Sequence, residues 1–96
     1  MRTPKRKPKA KAQSVNEEAQ SIITGARNES YGNAATEFAR VAQMWSVVVG
    51  APVTPAMIPM CLIALKLVRE LHRAKRDNRV DVCGYAGLLD DIQEGR

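Results

Sequence analysis

Apolar side chains recur at helical spacing in four stretches of this chain, and no stretch alternates apolar and polar residues as a half-buried strand does. The most apolar stretch begins with Thr54, which fits a helix N-cap, and Pro55, which fits the first helical position. Residues 57–65 are apolar on nearly every side, and a helix of that composition is buried on most of its surface. We therefore predict a central helix over about 54–73, with Pro59 at its fifth position.

Three further helices are predicted, at residues 14–25, 33–50 and 77–92. Ser14-Val15-Asn16-Glu17 forms a capping-box pattern, and Asn33 and Asp77 fit the N-cap positions of the later helices. Gly50 is typical of the residue that ends a helix, and a loop is expected over 27–32. Four helices with short connections predict an all-α fold, a four-helix bundle-like domain.

The N-terminal segment has a different composition from the rest of the chain. Residues 1–13 hold six Lys/Arg, two prolines and no acid, which predicts a disordered basic tail. Of the 15 Lys/Arg in the chain, nine remain in residues 14–96 against ten Asp/Glu, so this part carries about −1 rather than +5. We therefore predict a tail over 1–13 that can bind nucleic acid, and a helical domain over 14–96 that is not basic overall.

An uncharged run over residues 41–65 is long enough to span a bilayer. Gly50 and three prolines interrupt this run, so two helices that meet at a loop explain it better, and no membrane association is predicted. Cys61 and Cys83 lie on helical apolar patterns in a chain without a secretory signal, which favours free thiols and a cytoplasmic location. A domain this small with so apolar a central helix is expected to complete its core as a homo-oligomer.

Charged residues of the last two helices come together if these helices form an antiparallel hairpin. Arg69 is then expected opposite Asp81, and Lys66 opposite Gly84. Asp77 and Asp81 lie one turn apart and can share a divalent cation, while Lys66 and Arg69 can hold phosphates. The alternative is a set of ordinary interhelical ion pairs. Lys66 favours a site, because it follows the most apolar stretch and needs a partner or a ligand there.

The segment around Arg27, Tyr31 and Gly32 is a second candidate. An arginine, an aromatic ring and a glycine in one loop can stack a base or bind a phosphate. The alternative is a turn that packs on the helix ends. Trp45 belongs to an apolar stripe and is interpreted as a core residue, and His72 has no second metal ligand at a suitable spacing.

Several common catalytic patterns are missing from the sequence. It contains no phosphate-binding loop, no glycine-rich dinucleotide fingerprint, no Ser/His/Asp set and no zinc-ligand spacing. If the protein is an enzyme, the residues present favour one that uses carboxylates and a metal ion.

The order of several short motifs is informative. The motifs are Ile22-Ile23-Thr24-Gly25-x-Arg27, Tyr31-Gly32, Phe38-x-x-Val41-Ala42-x-x-Trp45, Val53-Thr54-Pro55, Leu65-Lys66-x-x-Arg69 and Asp77-Asn78-x-x-Asp81-Val82-x-Gly84-Tyr85-Ala86. In this order they resemble a family of small, mostly uncharacterised bacteriophage and prophage proteins over about residues 15–90. That family resembles the phage nucleotide-modification-associated domains and, more distantly, the MazG-like all-α nucleoside triphosphate pyrophosphohydrolases.

The resemblance implies a helical dimer or tetramer that binds Mg²⁺ through acidic residues and cleaves nucleotides between the α and β phosphates. It implies that Asp77 and Asp81 correspond to the acidic pair of the late helix, with Lys66 and Arg69 as phosphate contacts. Tyr85 belongs to the same late-helix motif and joins the expected ligand-binding residues. The paired Glu-x-x-Glu that MazG-like enzymes carry on an early helix is missing, since Glu37 stands alone there.

Two functions are therefore expected. The first is a phage-type nucleotide-binding protein of the host-cell cytoplasm that holds its ligand at the hairpin and hydrolyses it with Mg²⁺ if the acidic residues suffice. The expected ligand-binding residues are Lys66, Arg69, Arg27, Tyr31 and Tyr85, and the expected metal ligands are Asp77 and Asp81. The alternative is a non-enzymatic oligomeric interaction protein whose basic tail binds nucleic acid or a host partner.

Overall fold

The computed structural model describes residues 12–96 and is all-α over that part of the chain. Its helices are α1 (Val15–Thr24), α2 (Ala26–Tyr31), α3 (Ala34–Val49), α4 (Met57–His72) and α5 (Arg76–Glu94). Four of these helices are long and match the predicted bundle-like domain, which confirms the fold class. The predicted tail over 1–13 falls almost wholly outside the described residues. Gln13 is described, and its carbonyl accepts a hydrogen bond from Arg76 at 2.9 Å.

The predicted loop at 27–32 is wrong, because residues 26–31 form the short helix α2. No glycine or proline interrupts these six residues, and the Glu29 N–H donates to the Gly25 carbonyl at 3.1 Å. The break from α1 occurs at Gly25 alone. The side chains of Asn28, Ser30 and Tyr31 lie outside the described part of the structure.

The caps of α1 and α3 agree with the sequence prediction. The Ser14 hydroxyl accepts from the Glu17 N–H at 3.1 Å, and the Glu17 carboxylate accepts from the Ser14 N–H at 2.8 Å. The Asn33 side chain accepts from the Thr36 N–H at 3.1 Å. Gly50 ends α3 with a φ of 71°, a left-handed conformation that glycine adopts without a steric cost.

α4 begins later than predicted. Thr54 and Pro55 lie in a turn, and the cap position belongs to Ala56, which makes no side-chain capping bond. Pro59 is therefore the third residue of the helix, not the fifth. The first N–H groups of a helix have no partner within the helix, so Pro59 costs α4 no hydrogen bond there. Before the turn, the Ser46 hydroxyl accepts from the Val53 N–H at 2.9 Å and holds the linker against α3.

The start of α5 is also different, because Asp77 is not its cap. Lys75 has the cap position, without a side-chain capping bond, and Asp77 lies in the first turn. The Glu70 carboxylate of α4 caps α5 from across the hairpin. It accepts from the Lys75 N–H at 2.9 Å, from the buried Asn78 side chain at 3.0 Å and from Arg79 at 2.6 Å. The Lys75 N–H and then the Asn78 amide lower the pKa of Glu70.

The core lies where α5 packs along α1 and α4 and touches α3. Its buried cluster consists of Ile23, Ala34, Phe38, Ala42, Ile58 and Leu88. Helix α5 approaches α1 closely at two glycines, since a Cβ on Gly84 or on Gly87 would meet the Ile23 side chain. No helix in the described residues is both long and apolar enough to cross a membrane.

Candidate ligand cavity

A cavity of about 530 Å³ lies among all five helices and is lined in part by the core cluster. Most of its wall is apolar, and its aromatic members are Phe38, Trp45 and Tyr85. Its charged members are Arg27, Glu37 and Asp81. A small-molecule site in a protein is typically a mostly apolar cavity of 300–1,000 Å³ with a few polar groups, and this cavity fits that description.

Arg27 is held in place on one side of the cavity. Its side chain is 10% exposed and forms an ion pair with Glu37. Another guanidinium N–H donates to the Gly32 carbonyl at 2.9 Å, and the guanidinium carbon lies 5.2 Å from the centre of the Phe38 ring. A cation over an aromatic face is attracted by the ring quadrupole. Arg27 is therefore a pre-oriented, nearly buried donor beside an aromatic wall.

Lys66 and Asp81 form an ion pair, with 2.7 Å between the Lys66 Nζ and an Asp81 carboxylate oxygen. The expected register was wrong at this point, since Lys66 was predicted opposite Gly84 and Arg69 opposite Asp81. Lys66 keeps only 16% of its side chain exposed, so the predicted need of this amine for a partner is confirmed.

Tyr85 also lies on the cavity wall and is half-buried. Burial, and then the negative charge of Asp81, raise the pKa of Tyr85 above its usual value, while the positive charges of Lys66, Arg27 and Arg69 act in the opposite direction. The phenol is therefore neutral at neutral pH, where it can both donate and accept a hydrogen bond.

The structure brings some of the predicted site residues together and leaves others apart. Arg27, Tyr85 and Asp81 line the cavity, and Lys66 joins them through its ion pair with Asp81. Arg69 and Asp77 are exposed, and neither lines the cavity. The side chain of Tyr31, also predicted as a ligand contact, is outside the described part.

The implied Mg²⁺ site consists of two aspartates and no more. Asp77 and Asp81 are one turn apart on α5, but Asp81 already pairs with Lys66 at 2.7 Å. Within residues 12–96, no three His, Cys, Asp or Glu side chains come close enough to hold a metal ion together. Mg²⁺ binding stays a prediction, and nothing proposed below depends on a metal ion.

Two features of the cavity were not predicted from the sequence. Glu37 was noted only as an isolated acid, and Phe38 and Trp45 only as members of an apolar stripe. The pairing of Arg27 with Glu37 crosses the break between α2 and α3, so no helical spacing could have indicated it. The one usable signal was an arginine in the predicted loop and a glutamate in the first turn of the helix that follows.

Comparison with known families and proteins identifies relatives of this chain. Residues 14–93 match a domain of unknown function, DUF6378. The chain is 35% identical over 77 residues to the Gene 55 protein of Mycobacterium phage L5, a match that covers 78% of this chain and 49% of that protein. It is 31% identical over 84 residues to the Gene 55 protein of Mycobacterium phage D29, which covers 86% and 56% respectively. No solved structure matches.

The chain spans about half the length of the curated relatives it matches. These relatives agree with the phage-protein part of the resemblance and give no support to its MazG-like part. The two Gene 55 proteins that it resembles are phage-encoded, and because the matched region covers 80 of 96 residues, the chain belongs to the DUF6378 family.

Proposed function

We propose that this protein binds a nucleotide, or a ligand derived from a nucleotide, in the cavity beside Arg27, Phe38 and Tyr85. The observation that carries the proposal is the composition of the cavity. It offers about 530 Å³, a mostly apolar wall with three aromatic rings, and three charged side chains. A nucleotide has a flat apolar base and a charged end, and such a cavity matches both parts.

The base is the part that the apolar wall recognises. Phe38 is 5% exposed and already carries the Arg27 guanidinium over its ring, so the rigid wall loses little freedom when a second flat group enters. Aromatic rings attract one another in offset or edge-to-face arrangements. The Tyr85 hydroxyl and the Glu37 carboxylate supply the hydrogen-bonding groups that fix the orientation of a base.

The phosphate end is assigned to Lys66, with Arg69 near the same edge. The positive charges of both residues act to lower the pKa of Tyr85, which lines the cavity, and this supports the assignment. Lys66 is bound to Asp81, so a phosphate has to compete with a carboxylate for the amine. Asp81→Asn removes that competitor, and we expect it to strengthen the binding of phosphorylated ligands if no metal ion takes part.

The first experiment is a thermal shift measurement with nucleosides and with nucleoside mono-, di- and triphosphates, each with and without Mg²⁺. A ligand that binds only the native state stabilises it by about 2.7 kcal/mol at 100 times its Kd. We expect stabilisation by one class of these compounds. Pyrophosphate release, followed in the Mg²⁺ samples, tests hydrolysis separately from binding. A panel without any shift would contradict the proposal.

Substitutions then test the contacts to the phosphate and to the rest of the ligand separately. Lys66→Ala is expected to weaken phosphorylated ligands at least tenfold and to leave the matching nucleoside unchanged, because only the phosphate loses its cation. Lys75→Ala is the matched control, since Lys75 is an exposed lysine on the α4–α5 turn. Tyr85→Phe removes only the hydroxyl and is expected to weaken nucleoside and nucleotide equally. Equal affinities of Lys66→Ala and wild type for every nucleotide would place the phosphate elsewhere.

A second candidate function is a non-enzymatic interaction protein that acts through its basic tail. The six Lys/Arg and the absence of acids in residues 1–13 favour contact with nucleic acid or an acidic host partner. Phosphate contacts make such binding strongly salt-dependent. A nucleotide panel without shifts, together with steeply salt-dependent DNA binding, would favour this function over the first.

A further inference from the structure

Helix α4 exposes an apolar face along its whole length. Its exposed large side chains are Met57, Met60, Leu65, Leu67, Val68 and Leu71. Their exposed fractions range from 40% at Leu65 to 87% at Leu71, and Cys61 and Ala64 between them are exposed as well. Monomeric proteins rarely leave a continuous apolar patch of this extent in water, and such patches mark interaction sites.

The centre of this face has the spacing of helices that pack along each other. Met57, Met60, Ala64, Leu67 and Leu71 are separated by three, four, three and four residues, which is the a/d repeat of a helix–helix seam over two heptads. These five residues are called the α4 seam below. The opposite side of the helix packs into the protein through residues such as Ile58 and Pro59, which are fully buried. The seam is therefore the side of α4 that residues 12–96 leave uncovered.

We infer that a second copy of this chain packs on the α4 seam, with the two α4 helices antiparallel about a two-fold axis at Ala64. In this arrangement Met57 of one copy lies beside Leu71 of the other. Ala64 meets its own counterpart at the middle, where its small side chain lets the two helices approach closely. A two-fold interface uses the same patch on both subunits, and this patch is apolar throughout, as such a self-complementary surface requires.

The charges of α4 favour the antiparallel direction. Residues 57–65 carry no charge, whereas Arg69, His72 and Arg73 lie at the C-terminal end and are exposed. A parallel pair would bring these basic ends together, and like charges at contact distance repel. An antiparallel pair puts them at opposite ends, each beside the uncharged start of the other helix, and aligns the helix dipoles favourably.

The uncovered area is sufficient for a stable pair. The exposed side chains of α4 leave apolar surface on the order of 600 Å² per copy, at the lower end of the roughly 600–1,000 Å² that each partner buries in a standard protein interface. The C-terminal half of α3, which precedes α4 in the chain, exposes further large apolar side chains. These are Met44, Val47, Val48 and Val49, with exposures of 62–80%.

The seam and the ligand cavity lie on opposite sides of α4. The cavity is lined by Ile58 and Leu62, which belong to the inward side of the helix. Pairing through the seam therefore leaves the cavity lining unchanged. This inference does not rest on the nucleotide proposal, and either can fail without the other.

The test compares two variants of the full chain, each with one alanine replaced by glutamate, by light scattering and sedimentation. Ala64 and Ala86 are both exposed alanines in helix interiors, but Ala64 is in the seam and Ala86 is on α5. At tens of micromolar we expect wild type and Ala86→Glu to form the same assembly, and Ala64→Glu to have half that mass, because two carboxylates would meet at the axis. A monomeric wild type, or an Ala64→Glu with the wild-type mass, would overturn the inference.

A second measurement covers the case in which Ala64→Glu does not fold. In a Cys83→Ser variant, Cys61 is the single thiol and lies at the edge of the seam. Its rate of modification by a thiol reagent is expected to fall as the protein concentration rises, since the pair covers it. A rate independent of concentration would overturn the inference. A monomer that pellets with anionic vesicles would also overturn the inference, because the exposed face would then bind lipid.

Discussion

The two glycines of α5 that face α1 allow a matched test of the packing at the edge of the cavity. Gly84 is buried, and a Cβ built on it would lie 3.6 Å from the Ile23 Cγ2, an ordinary van der Waals contact. A Cβ on Gly87 would lie only 2.8 Å from the Ile23 Cδ1, closer than real Cβ contacts come. The same substitution at these two positions is therefore expected to have different effects.

Gly84→Ala is expected to stabilise the protein. Alanine in a helix interior is favoured over glycine by about 0.8–1.0 kcal/mol, and no neighbouring atom has to move here. A change of about 1 kcal/mol moves the melting temperature of a 60–100-residue domain by roughly 4–8 °C. The new methyl group also enters the cavity, which Gly84 lines, so ligand binding is expected to weaken while the ligand-free protein melts higher.

Gly87→Ala is the control, with the same gain in helix propensity. The Ile23 side chain has to move aside, and a rotamer pushed about 30° from its minimum costs about 0.5–1.5 kcal/mol. The two terms nearly cancel, so we expect a melting temperature close to that of wild type. Gly87 does not line the cavity, and ligand binding is expected to stay unchanged.

The measurement is thermal unfolding by circular dichroism with all three proteins at one concentration, because association makes melting temperature depend on concentration. A Gly84→Ala that melts below wild type would mean that α1 lies closer to α5 than the structure places it. A Gly87→Ala stabilised as much as Gly84→Ala would show that Ile23 moves without cost. Either result would refute the reasoning from these two distances.

Three further predictions concern pH and the tail. Because the pKa of Glu70 is lowered, the contribution of this carboxylate to stability is fully present at pH values above its usual pKa of 4.5 and is lost as the pH falls through its pKa in the folded protein. In urea unfolding, Glu70→Gln is therefore expected to lose less stability in acid than wild type does. Because the pKa of Tyr85 is raised, the stability contributed by the neutral phenol is present at pH values below its usual pKa of 10.0 and is lost as the pH rises through its pKa in the folded protein. In the same assay, Tyr85→Phe is expected to remove part of the loss of stability at alkaline pH. Deletion of residues 1–11 is expected to leave the melting temperature unchanged and to abolish salt-dependent DNA binding, since six basic side chains are removed; a fall of several degrees would show that the tail packs on the domain.

The parts of the fold that depend on neighbouring residues were predictable. The capping box at Ser14 and the Asn33 cap are bonds between residues three apart, and Gly50 ends α3 through its own backbone conformation. Helical spacing of apolar residues gave the number and type of the long helices for the same reason. The loop predicted before α3 failed because a glycine at 25 was read as the start of a loop, although it only separates two helices.

The site was predicted only in part, because its contacts cross between helices. The residues that need a partner were recognisable, and Lys66, Asp81, Arg27 and Tyr85 do lie at the cavity or next to it. Which partner each one meets was not recognisable. A shift of one turn in the α4–α5 hairpin exchanges Arg69 for Lys66 opposite Asp81, and no local signal distinguishes these two registers.

The sequence by itself thus determined the four long helices, most of their ends and the types of residue available for a site, because hydrogen bonds within a helix and apolar periodicity are local properties. Tertiary structure alone decided the start of α5, since the Glu70 carboxylate reaches it from another helix. It also decided the cavity and the uncovered seam of α4. Both depend on the distances between packed helices. The close approach at Gly84 and the turn between α4 and α5 determine these distances.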